Sequence, residues 1–314
     1  MKHSRRLALI LVLALLVGTF ACGITASADT AKAANGELLD AALIMVAGAQ
    51  NKAEEIGVPM VISVMDMDGN LVLMHRMEGS LLASMDISQN KAFTAVALKM
   101  PSADVKKLAQ EGEELQGIAV REAGKIVEFG GGLPIYDKDG KQIGGIGVSG
   151  GSVAEDTSVA QAGLDAYAAG KAIDKVASGG KLLDLAIKAA EAAGKRAEEI
   201  NVPMVISVVD MGGNLVLLHR MENSLLASLE ISPNKAFTAA ALKMPTANVK
   251  DLAIEGAELQ GIAVQHAGRL VEFGGGLPLY VDGVQIGAMG VSGGSVDEDT
   301  NVVTAGLEAI NALK

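Results

Sequence analysis

The chain states its own sequence twice. Val58-Pro59-Met60-Val61-Ile62-Ser63-Val64 returns as Val202-Pro203-Met204-Val205-Ile206-Ser207-Val208, and Asn90-Lys91-Ala92-Phe93-Thr94-Ala95 returns as Asn234 to Ala239. Val127-Glu128-Phe129-Gly130-Gly131-Gly132-Leu133-Pro134 returns as Val271 to Pro278. The spacing is about 144 residues, too long for a solenoid unit and of whole-domain size. One residue is lost in the second copy, at the turn Asp137-Lys138-Asp139-Gly140 against Val281-Asp282-Gly283. Whatever one copy folds into, the other must fold into as well. The expected organisation is an N-terminal segment 1–28, a first domain 29–174 and a second domain 175–314.

Each copy reads in the same order. Leu38 to Ile56 has apolar residues at helical spacing and ends at Gly57 and Pro59. Met60 to Asp66 and Leu71 to Met77 are apolar, β-branched runs split by Asp68-Gly69, a hairpin signal that Gly212-Gly213 repeats. A helix is predicted from about Leu81 to Lys99, stopped by Pro101, and another over roughly Ser102 to Gln116. Ile126–Phe129, Leu133–Tyr136 and Gln142–Val148 read as strands. A last helix is predicted near Ser152, where Ser152-Val153-Ala154-Glu155 is a capping box repeated by Ser295-Val296-Asp297-Glu298. Hairpins separated by helices, without regular βαβ alternation, predict an α+β fold: an antiparallel sheet flanked by helices, duplicated in tandem. The join is expected between Ala168 and Lys181.

The first residues read as an export signal. Lys2, Arg5 and Arg6 precede an uncharged run from Leu7 to Ala21, and Ala26-Ser27-Ala28 supplies small residues for cleavage. Cleavage there predicts an exported protein, periplasmic or extracellular. Lipidation of Cys22 and a retained anchor helix are the alternatives. Cys22 is the only cysteine, so cleavage after Ala28 leaves a mature chain without disulfides. No later apolar run is long enough to cross a bilayer.

The formal charge of −11 becomes about −14 once Lys2, Arg5 and Arg6 are gone. An acidic surface without basic clusters, in a chain with no Trp, argues against nucleic acid and anionic lipid and leaves a small molecule as the expected partner.

Two catalytic motifs are declined. Gly147-Val148-Ser149-Gly150-Gly151 and Gly290-Val291-Ser292-Gly293-Gly294 match G-x-S-x-G, yet no His follows Ser292 to act as base, so a structural turn is expected. Gly145-Ile146-Gly147-Val148-Ser149-Gly150 fits G-x-G-x-x-G, but Ala288 breaks it in the second copy. The Gly130-Gly131-Gly132 run reads as a tight bend or a close backbone approach.

Histidine is scarce. His75 and His219 are equivalent, each in His-Arg-Met-Glu, whereas His266 has no counterpart. Strand alternation puts Leu71, Leu73, His75 and Met77 on one face and Val72, Met74 and Arg76 on the other. An imidazole and a thioether two residues apart, His75 with Met77 and His219 with Met221, match the residue types that ligate haem iron. A half-buried His bonded to a backbone carbonyl, with Met as packing, accounts for the same pattern. Lys91 and Lys235 sit among apolar neighbours, placed either to reach an anionic group or to snorkel to water. Asp66 and Asp210 are expected to cap the hairpin turns.

Four ordered motifs carry a family resemblance: Val208-Val209-Asp210-Met211-Gly212-Gly213-Asn214-Leu215-Val216 running into His219-Arg220-Met221, then Asn234 to Ala239, Phe273 to Pro278 and Gly287 to Gly294, with the same set from Val64 to Gly151. The sequence resembles the GlcG/HbpS family of haem-binding or haem-degrading domains, also found at the C-terminus of PduO-type corrinoid adenosyltransferases. The resemblance implies a profilin- or PAS-like sheet flanked by helices, assembled into dimers and larger oligomers, and haem binding with degradation or iron sequestration in exported members. Some members are thought to bind iron through a His in the first helix; neither Leu38–Ile56 nor Leu182–Ile200 contains one.

The expectation is therefore an exported haem-binding or haem-degrading protein with one site per repeat and the two copies paired within the chain. His75 and His219 are the candidate metal ligands. Arg76, Arg220, Lys91 and Lys235 are candidates to pair with propionates, and Met77 and Met221 complete the set. The alternatives are a non-catalytic corrinoid or small-anion binding module, and an oligomeric structural protein.

Overall fold

The computed structural model describes residues 36–170, 173 and 175–313, so the export segment, with Cys22, lies outside the described residues. In the first copy, α1 (Glu37–Glu55) leads into β1 (Val61–Asp66) and β2 (Leu71–Arg76), followed by α2 (Ser84–Ala97) and α3 (Ser102–Leu108), then β3 (Gly132–Tyr136), β4 (Gln142–Ser149) and α4 (Val153–Ala168). The second copy repeats the order as α5 (Lys181–Glu199), β5 (Val205–Asp210), β6 (Leu215–Arg220), α6 (Ser228–Leu242), α7 (Thr246–Ala253), β7 (Gly276–Val281), β8 (Val284–Ser292) and α8 (Val296–Glu308). This is the duplicated α+β fold expected from the sequence.

The copies share one sheet. Its eight antiparallel strands run β3-β4-β1-β2-β6-β5-β8-β7, with β2 of one copy hydrogen-bonded to β6 of the other. Met74 faces Leu218 at the centre of that join, while Leu73 faces His219 and His75 faces Leu217. Such reciprocal pairing is the signature of a two-fold axis, here an approximate one within a single chain. A strand that would otherwise be an exposed edge is covered by its own repeat.

One face of the sheet packs Ile62, Val64 and Leu73, with their repeats Ile206, Val208 and Leu217, against Met45 and Val46 of α1, Val159 of α4 and their counterparts. The other face meets α2 and α6, through Met65 with Ala92 and Val96 and through Val209 with Ala236 and Ala239. Ser152 and Ser295 cap α4 and α8 in complete capping boxes, as the sequence predicts.

Three sequence readings change. Ile126–Phe129 is not a strand: Ile126 and Val127 are buried, but the Val127 amide donates to Thr94 Oγ1 rather than to a neighbouring strand. The helix over Ser102–Gln116 stops at Leu108, and the chain folds back so that the Leu115 amide reaches the Leu108 carbonyl. The strict alternation along β2 is broken by a bulge opposite Val64 and Met65. Leu71 therefore pairs with Met65 under α2, while Val72 joins Leu73 in the core beneath α1.

Candidate functional site

The bulge leaves His75 and His219 on the α1/α5 face, either side of the pseudo-dyad. Each is buried, at 4% and 5% exposure, and their Nε2 atoms lie 2.8 Å apart with the rings stacked at 5.1 Å between centroids. That separation is a hydrogen bond, so one ring donates from Nε2 and the other accepts. Two imidazoles on one tetrahedral metal, with metal–nitrogen bonds of about 2 Å each, hold their nitrogens about 3.3 Å apart. The pair as placed bonds to itself. Burial holds both rings neutral: desolvation pushes His219 down to about 4, and His75 falls well below its usual value through desolvation and then the neighbouring His219.

The other candidates are committed elsewhere. Arg76 crosses to the second copy, where Nη2 meets Asp210 at 2.5 Å and Nε donates to the Leu215 carbonyl. Arg220 does the reverse, pairing with Asp66 and the Leu71 carbonyl. Asp66 caps its turn with the other oxygen, accepting from the Asp68 and Asn70 amides, so the expected turn role is present and a second role is added. Lys91 is buried, donating to Asp156 at 2.5 Å and to the Val148 carbonyl; Lys235 repeats this with Asp299 and Val291. A propionate reaches either lysine only by breaking a buried ion pair. Met77 and Met221 pack in the core, their sulfurs accepting from the Met60 and Met204 amides. The arginines stand on β2 and β6 and the lysines on α2 and α6, and the pairings that occupy them cross between copies or between distant elements.

The glycine run and the serine motif are structural. A Cβ on Gly132 would stand 2.2 Å from the Lys91 carbonyl oxygen, and one on Gly131 2.7 Å from Lys91 Nζ, so the loop closes over the buried lysine only as glycine. Ser149 Oγ donates to Ser84 Oγ at 3.0 Å, and Ser292 is bonded to Ser228 likewise.

What the sequence reading missed is the groove above the imidazoles. α1 and α5 flank the pseudo-dyad, and between them a cavity of about 320 Å³ is lined by Leu43, Ile44, Ala47, Gln50 and His75 of the first copy, Ile187 and Glu191 of α5, and Ile173 and Val176 of the connecting segment. A second cavity of about 200 Å³ shares Leu43 and Glu191 and reaches His219, Gly194, Lys195 and Glu198. In the first cavity two buried polar atoms, His75 Nδ1 and Gln50 Oε1, have no hydrogen-bond partner. Buried polar groups are nearly always satisfied, so two orphans on one cavity mark a place for water or a ligand. Among the described residues no group of three His, Cys, Asp or Glu side chains stands ready to hold a metal ion, and no helix is long and apolar enough to cross a membrane.

Comparison with known proteins matches this chain twice to one family, described as haem degrading protein HbpS-like, over residues 38–165 and again over 182–308. A 15.0 kDa protein from the dhaT–dhaS intergenic region of Citrobacter freundii, itself uncharacterised, is 44% identical over 131 residues, covering 42% of this chain and 92% of that protein. The corrinoid adenosyltransferase PduO of Salmonella typhimurium is 42% identical over 120 residues, 38% of this chain and 36% of the enzyme, so the match spans about a third of PduO. Among solved structures, a PduOC:heme complex is 40% identical, covers 41% of this chain and 94% of its own, and superposes with a TM-score of 0.40.

Proposed function

The chain belongs to the HbpS-like family, and from that membership we propose that it binds haem in the groove between α1 and α5. The observation that carries the site is the groove itself, whose apolar walls come from both copies and close over an imidazole with an unpartnered Nδ1. Leu43, Ile44, Ala47 and Ile187 hold the apolar macrocycle away from water, as small-molecule sites do. His75 Nδ1 is the ring nitrogen left for iron, since the two Nε2 atoms occupy each other. Haem, when bound, supplies a redox-active iron centre. With Arg76, Arg220, Lys91 and Lys235 all paired, the exposed Lys195 at the far end of the groove is the cation available to a propionate.

Titration of the purified chain with hemin tests the reading. A saturable shift of the Soret band is expected, with an altered band shape in His75→Ala; an unshifted Soret band removes the proposal. Corrinoid binding, the alternative that the PduO relatives raise, is read in the same assay by retention of hydroxocobalamin instead of hemin.

The protein acts after export on this reading, supported by Lys2, Arg5 and Arg6 ahead of the apolar run and by Ala26-Ser27-Ala28. Intact-mass measurement of the secreted or periplasmic form is expected to give a chain beginning at Asp29. A mass retaining Cys22 with added acyl chains would instead mark a lipoprotein.

A further inference from the structure

The two halves of the groove are not equivalent, although the repeat places the same strands beneath them. On α1 the groove-facing positions are Ile44, Ala47 and Gln50; at the matching positions α5 carries Lys188, Glu191 and Gly194. One half is an apolar wall ending in an amide, and the other is a charged helix face ending in a glycine.

Of the residues lining the groove, those with a buried polar atom lacking a partner, Gln50 and His75, both belong to the apolar half. Gln50 is 1% exposed; its Nε2 donates to the Ala177 carbonyl, which leaves Oε1 as a bare acceptor on a residue that lines the same cavity as His75. The connecting segment is tied down against the same stretch of α1. Asn51 donates to the Lys175 carbonyl and accepts from the Ala177 amide, which holds Val176 against the groove. An amide oxygen desolvated on an apolar wall costs free energy unless something donates to it.

Resting on the haem reading above, we infer that the chain has one tetrapyrrole site, not two, and that it lies in the α1 half of the groove. Its walls select the apolar ring face, and Gln50 Oε1 accepts from a ligand N–H or O–H, or from a water held between them. Glu191 borders both halves, but the α5 half adds Lys195 and Glu198 to its lining and is excluded, because seating an apolar ring against them would desolvate charged groups that have no partner there.

The test exploits the repeat. Ile44→Lys/Ala47→Glu gives α1 the residues that α5 already carries at the same helical positions, so the variant is expected to fold, with an unchanged circular dichroism spectrum. Hemin and metal-free protoporphyrin IX are titrated separately into the full chain and into this variant. The inference expects saturation at one equivalent per chain and at least a tenfold weaker Kd in the variant for both compounds. Glu198→Ala, on the α5 half, is expected to leave Kd within twofold. Two equivalents of equal affinity, or an unchanged Kd in Ile44→Lys/Ala47→Glu, would overturn the single site while leaving haem binding intact. Failure of both compounds to bind the unaltered chain removes the haem reading and this inference together.

Discussion

Two imidazoles sealed against each other make stability depend on pH. In the unfolded chain both rings titrate near 6.5, whereas in the fold His219 titrates near 4 and His75 well below its usual value. The unfolded state therefore takes up protons that the folded state refuses, and stability falls as pH drops from about 6.5 towards 4. For His219 alone the loss is on the order of 3 kcal/mol at about 1.4 kcal/mol per pH unit. Urea unfolding at pH 7.5, 6 and 5 is expected to show this decline, and a His75→Leu/His219→Leu variant is expected to show a flatter one. Lys91 offers a second residue-scale test. Burial lowers its pKa and the hydrogen bond and charge of Asp156 oppose that effect, so the ion pair is what keeps the lysine charged. Asp156→Ala leaves a buried cation alone and is expected to cost about 3–5 kcal/mol, whereas Lys91→Met/Asp156→Leu together are expected to cost less than the single change. Denaturant midpoints of the two variants decide the order. Both partners are visible in the sequence as a lysine among apolar residues and an acid at a helix start. Their 65-residue separation is not bridged by any local pattern.

At the scale of elements, local chemistry predicts structure best where it acts within a few residues. Ser152 accepts from the Glu155 amide and Glu155 reaches back to the Ser152 amide, a three-residue arrangement that needs nothing from the rest of the fold. Ser152→Ala is expected to cost about 1 kcal/mol, and Ser152→Ala/Ser295→Ala about twice that, because the two caps are equivalent and share no partner. Thermal unfolding of the three proteins checks this; a double variant no less stable than the single would show the caps to be idle. The elements misread were those settled by distant contacts. The apolar run at Ile126 and Val127 resembles a strand because its side chains do reach the core, but Thr94, from α2, takes the backbone amide instead of a strand. The bulge in β2 changes which of Leu71 and Val72 joins the core beneath α1, and it depends on the register with β1.

For the whole molecule, the decisive contact is β2 against β6. Arg76 with Asp210 and Arg220 with Asp66 tie each copy to the other's hairpin, and Glu78 reaches the Lys181 amide at the start of α5 while Glu222 lies against Gly36 at the start of α1. A copy on its own would expose β2 or β6 as an apolar edge strand with all of these pairs unmade. Residues 175–314 expressed alone are therefore expected to form a dimer through β6 in place of the missing copy, and light scattering measures the mass. A stable monomer would show that the join is dispensable. In the intact chain both copies lie in one compact unit with a continuous sheet, so a single cooperative unfolding transition is expected.

The sequence by itself determined the duplication, the order of helices and hairpins, the caps and the turn aspartates, because each depends on side-chain periodicity or on bonds spanning a few residues. It also singled out His75 and His219 by their rarity and repetition. Only the tertiary structure decided that these two rings bond to each other, that the arginines and lysines are already paired, and that a groove lies between α1 and α5 with unlike halves. The physical reason is common to all three. They follow from which edge strand pairs with which, and the free energy of that pairing comes from surface buried between segments about 140 residues apart, which no local pattern of residues encodes.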